Sequence, residues 1–198
     1  MLIRLLPFVL FISVFMGCKK GEDDPKLSLR TRKARVAGEW TMSSGHSFVK
    51  DTYYIYNAFD YGFSKNSYSL VHDQYVEGTP EHYVENKTGT FSYTLKFDKD
   101  GTFRSVRKTD TITVIMNGTW NFVGKGDSYK NKERIVLNIT ELNNGAGFTS
   151  YTFSGNSTFD TYHVKELSSK KMVLNREEST IKSADRVYYL NEEYIFEQ

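Results

Sequence analysis

Phe91-Ser92-Tyr93-Thr94-Leu95-Lys96-Phe97-Asp98-Lys99-Asp100-Gly101-Thr102-Phe103 decides the fold. Phe91, Tyr93, Leu95 and Phe97 share one parity and Ser92, Thr94 and Lys96 the other, the period-2 signature of a strand buried on one face. Asp98-Lys99-Asp100-Gly101 then supplies the polar residues and the glycine that reverse a chain into a hairpin. Asp98, Asp100 and Gly101 resemble the opening of a calcium loop, but the third acidic position and the distal glutamate are missing, so the segment is a turn.

The same periodicity continues outward. Ile112, Val114, Met116, Gly118, Trp120 and Phe122 hold one face, and so do Ile135, Leu137 and Ile139. Further strands are expected over residues 147 to 153, 159 to 167, 171 to 177 and 186 to 197, with Ser168-Ser169-Lys170 as a tight turn. No long amphipathic helix interrupts the series, which predicts an all-β, up-and-down antiparallel barrel preceded by one short helix. Glycines two residues before an aromatic, at Gly38/Trp40, Gly89/Phe91, Gly101/Phe103 and Gly118/Trp120, read as bends with a ring filling the space below.

Residues 44–87 break this regularity. They hold ten of the thirty aromatic residues, Phe48, Tyr53, Tyr54, Tyr56, Phe59, Tyr61, Phe63, Tyr68, Tyr75 and Tyr83, interrupted by Asn57, Asp60, Gly62 and Lys65-Asn66. Irregular strands or long loops over a barrel mouth both fit. The exposed rings among Tyr53 to Phe63 are candidates for a protein-docking surface, with Tyr54 and Phe59 as its test positions.

The amino terminus carries an address. Basic Arg4, an apolar run from Leu5 to Met16, Gly17 and the chain's single cysteine, Cys18, form a signal-peptide layout over residues 1–17. A run of that length is short of the roughly 20 residues a membrane-spanning helix needs. Phe15-Met16-Gly17-Cys18 resembles a lipobox, in which the cysteine thiol is diacylated and its new amino group acylated, commonly with palmitate. The resulting expectation is a lipid anchor in the outer membrane, on its periplasmic or its surface face. Polar residues 18–28, including Glu22-Asp23-Asp24, then read as a tether, as a spacer or as a surface-export signal, and residues 29–198 as the single folded domain. A chain starting near Lys26 is accordingly expected to carry the whole domain. Arg30, Arg32, Lys33 and Arg35 lie on the short expected helix, where a solvated basic face is the ordinary reading and contact with anionic headgroups the other.

Composition removes several function classes. With 26 Lys and Arg against 24 Asp and Glu, there is no general attraction for nucleic acid. His46, His72, His82 and His163 form no closely spaced pair, so neither a metal nor another cofactor is expected, although His72-Asp73 and Glu81-His82 are placed to meet across a hairpin. With Cys18 lipidated no thiol nucleophile remains, and no Gly-x-Ser-x-Gly elbow is present, so no catalytic residues are expected and the chain is read as a non-enzyme. Asp110-Thr111-Ile112 is similar to an O-glycosylation acceptor.

Gly38-Glu39-Trp40 opening the first strand resembles the Gly-x-Trp motif of lipocalins and of lipocalin-like bacterial lipoproteins. Residues 93–103, Gly118-Thr119-Trp120, Tyr162 to Leu167 and Met172-Val173-Leu174 resemble that group in order and spacing over roughly residues 35–178. The resemblance implies that Trp40, with Trp120, closes one end of a barrel, and that an arginine from the chain's end, Arg176 or Arg186, packs beside the tryptophan. It also implies a binding module whose interior, lined in part by Tyr93, Leu95, Val114, Met116, Leu137 and Ile139, holds a small hydrophobic ligand. The alternative is an accessory subunit of an envelope complex.

Overall fold

The computed structural model describes residues 24, 30–53, 55–76, 78, 82–124, 126, 133–145, 149–152, 158–183 and 186–198. The signal segment, Cys18, most of the expected tether and Tyr54 lie outside them. The elements are α1 (Arg32–Val36), β1 (Gly38–Tyr53), β2 (Ile55–Ser64), β3 (Ser67–Val76), β4 (His82–Gly89), β5 (Phe91–Phe97), β6 (Thr102–Thr109), β7 (Thr113–Phe122), β8 (Arg134–Asn144), β9 (Thr149–Thr152), β10 (Thr158–Leu167), β11 (Lys171–Ser183) and β12 (Arg186–Glu197). Every pairing among them is antiparallel.

Following neighbours from β1 through β5, β6, β7, β8, β10, β11 and β12 returns to β1, so eight strands close a barrel. The up-and-down barrel with a short leading helix is therefore what the chain forms. The β5–β6 hairpin turns where the sequence places it: the Asp98 amide donates to the Thr102 carbonyl at 2.9 Å, and Gly101 takes φ +100°, a left-handed conformation that favours glycine. The Asp100 carboxylate accepts from the Thr102 amide at 2.9 Å and hydroxyl at 2.8 Å, so it serves the turn itself. Ser168 and Lys171 close the turn between β10 and β11.

Strict alternation fails at bulges. Ser43 in β1, Thr140 in β8 and Lys165 in β10 are each skipped by the partner strand. Inward residues consequently change parity along one strand: Ile135, Leu137 and Ile139 point into the barrel, and beyond Thr140 it is Leu142 that packs on the core. Bulges of this kind let a sheet curl closed.

Gly118 shows how tightly the wall is drawn. A β-carbon there would sit 2.0 Å from the Asn138 carbonyl oxygen and 2.8 Å from a Phe103 ring carbon. Gly118→Ala must push β7 from β8 or displace Phe103, and overpacking of this type costs about 1–3 kcal/mol. Thermal unfolding followed by circular dichroism should show the loss; an unchanged midpoint would mean that the wall yields freely.

The aromatic segment 44–87 forms regular strands rather than loops. β1 is long: Gly38 to Thr41 pair with β5, whereas Ser44 to Tyr53 pair with β2, and β3 and β4 follow. The three strands make a wing that leaves the barrel at the β1 bulge. Cross-strand ring pairs hold it, Tyr56 on Tyr75 at 4.5 Å and Phe59 on His72 at 4.3 Å.

Helix α1 is a plug. Thr31 caps it, accepting from the Ala34 amide at 3.2 Å. Its basic face is not solvated: Arg32 donates to the Val164 carbonyl at 2.8 Å and Arg35 to that of Leu167, both from buried positions. Between them lies Asp24, 3% exposed, whose carboxylate stands 3.4 Å from each guanidinium and accepts from the Leu167 amide at 2.8 Å. A residue read as tether is thus packed against the closed end, where two buried cations and a strand-end amide converge on its carboxylate.

Candidate functional site

The barrel interior is layered. At the closed end Trp40 is fully buried and its indole donates to the Val36 carbonyl at 2.7 Å, while Trp120 donates to the Asp98 carbonyl at 3.0 Å and meets Phe97 edge-on at 5.4 Å. Both tryptophans therefore stop that end, with Lys33 lying over Trp120 and Arg32 over Phe122. The arginines at this end are Arg32 and Arg35 of the plug. Arg176 instead pairs with Asp160 at 2.6 Å and Glu178 at 2.7 Å and lies over Tyr162, and nothing is described of the Arg186 side chain.

The six residues expected to line a ligand cavity do face one another inside the barrel. Tyr93, Leu95, Met116, Leu137 and Ile139 are buried within the continuous core and Val114 packs half-buried against it. Phe97, Phe103, Ile135, Val164, Leu167, Met172, Leu174 and Phe196 fill the space between them and the tryptophans. Side chains occupy this lower half, as eight-stranded barrels permit.

Above this floor comes a polar layer. On β6 the inward residues after Phe103 are Ser105, Arg107 and Thr109. Arg107 pairs in register with Tyr93 and donates to its hydroxyl at 3.2 Å, with the guanidinium 4.5 Å from the Tyr93 ring centroid. Tyr93 also meets Tyr194 edge-on at 5.7 Å, and the Tyr194 hydroxyl donates to Glu192 at 2.9 Å. Burial pushes the Tyr194 and Tyr162 phenols well above their ordinary range, the nearby anions adding to it, so both remain neutral hydrogen-bonding groups.

A groove of about 300 Å³ opens over this layer, lined by Ser47 of β1, Tyr61 and Phe63 of β2, Tyr68 and Leu70 of β3, Phe91 of β5 and Thr109 of β6. Register explains the convergence: Ser47 faces Tyr61, Tyr61 faces Leu70, Phe63 faces Tyr68, and Phe91 faces Thr109, all on the side continuous with the barrel interior. Phe63 is the hinge of the cluster, 4.5 Å from Phe91 and stacked on Tyr61 at 5.9 Å. The walls are mainly hydrocarbon and ring. A volume of this size lies at the small end of ligand pockets.

The histidines disperse. His82 meets Asp73 at 2.6 Å across the β3–β4 hairpin, as its position allows, His46 meets Asp60 at 2.7 Å, and His72 stacks on Phe59. Among the described residues no three His, Cys, Asp or Glu side chains gather as a metal would need, and no helix is long and apolar enough to cross a membrane.

Sequence reasoning missed the groove and Arg107. The groove joins residues from strands separated by up to 62 positions, from Ser47 to Thr109, through pairings that no local pattern announces. Arg107 was in principle legible, because Phe103, Ser105, Arg107 and Thr109 share one parity, but the charge disguises an inward position.

No family model matches the chain, and no curated protein matches it. Among solved structures it is similar to the crystal structure of Rv2717c from M. tuberculosis, with 10% identity over 83% of this chain and 93% of that one and a TM-score of 0.26.

Proposed function

We propose that this chain is an envelope lipoprotein, exported by residues 1–17, diacylated on Cys18 and anchored in the outer membrane, whose lipocalin-like barrel binds a small apolar ligand and catalyses nothing. The observation that carries the binding half is the groove. Tyr61, Phe63, Tyr68, Leu70 and Phe91 offer a concave, largely apolar surface at a barrel mouth, with Ser47 and Thr109 as the polar exceptions. Because the lower interior is filled by the protein's own side chains, the ligand sits between the barrel and the wing, above Tyr93 and Val114 and not among Leu95, Met116, Leu137 and Ile139. The anchoring half rests on the sequence before Lys19.

Two measurements test the two halves separately. Organic extracts of the purified full chain, analysed by mass spectrometry, should return one small hydrophobic species in stoichiometric amount, and Phe63→Ala should lose most of it. A clean extract from protein isolated without detergent exchange removes the binding reading. Cys18→Ser should move the protein out of the membrane fraction while its β-type circular dichroism is retained; full retention in washed membranes sinks the anchor.

A second reading has its own observation. Val71, Tyr75, Tyr83 and Val84 on the wing are exposed large apolar residues, and β4 is the last strand of the described sheet. As an accessory subunit of an envelope complex the chain would use this surface, and gentle extraction should then recover a stoichiometric protein partner that Tyr75→Ala with Tyr83→Ala releases.

A further inference from the structure

We propose that β4 is a pairing edge for a second copy of this chain, which joins two wings into one antiparallel sheet about a two-fold axis at Asn86. The inference is independent of the ligand and of the anchor.

Among the described residues β4 pairs with β3 alone, so its other side presents backbone amides and carbonyls to a further strand. Large apolar side chains collect at the same place: Tyr83 and Val84 are about half exposed, and Val71 of β3 stands beside them. An edge of this kind is ordinarily blunted by proline, by a bulge or by an unmatched lysine. β4 carries none of these. Its register with β3 runs unbroken from His82 to Gly89, and its one lysine, Lys87, lies 2.8 Å from the carboxylate of Glu85. Hydrogen bonding between the two draws Glu85 below its ordinary range and Lys87 above it, so both are charged at neutral pH.

A second copy is the occupant because the strand is its own complement. When a strand pairs antiparallel with itself about an axis normal to the sheet, residues equally far before and after the axis stand opposite each other on the same face. With the axis at Asn86, Glu85 meets Lys87 of the second copy and Lys87 meets Glu85 of the second copy. On the other face Val84 meets Thr88, one β-branched side chain against another. Moving the axis by one residue either way sets Glu85 against Glu85 or Lys87 against Lys87, and like charges directly opposed across a sheet destabilise it. Charge therefore chooses the register together with the partner.

Sedimentation velocity of the detergent-solubilised full chain, with micelles in excess, reads the association. Wild type should show a concentration-dependent dimer. Glu85→Lys and Lys87→Glu each bring like charges together across the axis and should weaken that dimer by about 10- to 100-fold. Mixed in equal amounts, the two variants offer a basic edge to an acidic one and should dimerise again, which chance sharing of a micelle would not produce. Asn86→Lys opposes itself at the axis and should cause a comparable loss from the other face, so the edge is tested even where one charge variant does not fold. A wild type that stays monomeric at about 100 μM overturns the proposal. A dimer indifferent to all three substitutions lies on another surface and overturns it equally. A different protein that copurifies in stoichiometric amount and is released by Glu85→Lys overturns the second copy as occupant.

Discussion

Asp24→Ala is expected to lower stability by about 3–5 kcal/mol, the cost of removing one member of a buried ion cluster and leaving the rest without it. The substitution strands two guanidinium groups and the Leu167 amide, all at buried positions. For a domain of this size, each kcal/mol moves the midpoint by roughly 2–4 °C, so the melting curve should shift by on the order of 10 °C. Asp24→Asn keeps an acceptor for Leu167 but removes the charge, and should recover only part of the loss. Because the cluster is shielded from solvent, the difference between wild type and Asp24→Ala should persist at high salt, where exposed ion pairs fade. A chain beginning at Lys26 should show the same deficit as Asp24→Ala. Melting indistinguishable from wild type in both would return Asp24 to the tether.

Trp40→Ala carries the other large effect. Trp40 is fully buried under α1, and its indole N–H satisfies the Val36 carbonyl at the end of that helix. Truncation opens a cavity at the closed end and leaves that carbonyl unpaired, which together should cost about 3–5 kcal/mol. Trp40→Phe keeps part of the ring volume while losing the hydrogen bond to the Val36 carbonyl, so a smaller loss of about 1–3 kcal/mol is expected. Trp120→Phe should behave similarly, because its indole holds the Asp98 carbonyl beside the β5–β6 turn. Differential scanning calorimetry of the variants checks the ranking. A Trp40→Ala protein as stable as Trp40→Phe would mean that α1 sinks to fill the void, and the plug would then be a movable one.

Both substitutions act at one end of the barrel and the groove lies at the other. The plug, the two tryptophans and the filled lower interior make a rigid base, and rigid bases are what hold binding residues in place. Ligand binding should therefore survive the modest loss in Trp40→Phe, because Phe91 and Thr109 of the groove are held by the β5–β6 register and not by α1.

What the sequence by itself determined was local. Period-2 alternation at Tyr93, Leu95 and Phe97, the Asp98 to Gly101 turn, and the run from Ile135 to Ile139 each state which side of one strand is buried, and the pleat enforces that over a few residues. Chained together, such hairpins leave an all-antiparallel barrel as the economical closure, and the core residues expected to face inward do so. Tertiary structure decided the rest. Whether β1 continues beside β5 or passes to β2 depends on a bulge at Ser43 that nothing in the local pattern marks, and the wing and groove follow from that one branch. Polar residues were the least legible, because a charge reads as exposed until its partners are known. Arg32, Arg35 and Asp24 are buried only because each meets the others at the closed end, and Arg107 is turned inward because its strand's parity outweighs its charge. Burial of an apolar side chain is a property of its own periodicity, whereas burial of an ion is a property of the groups brought to it from elsewhere in the chain.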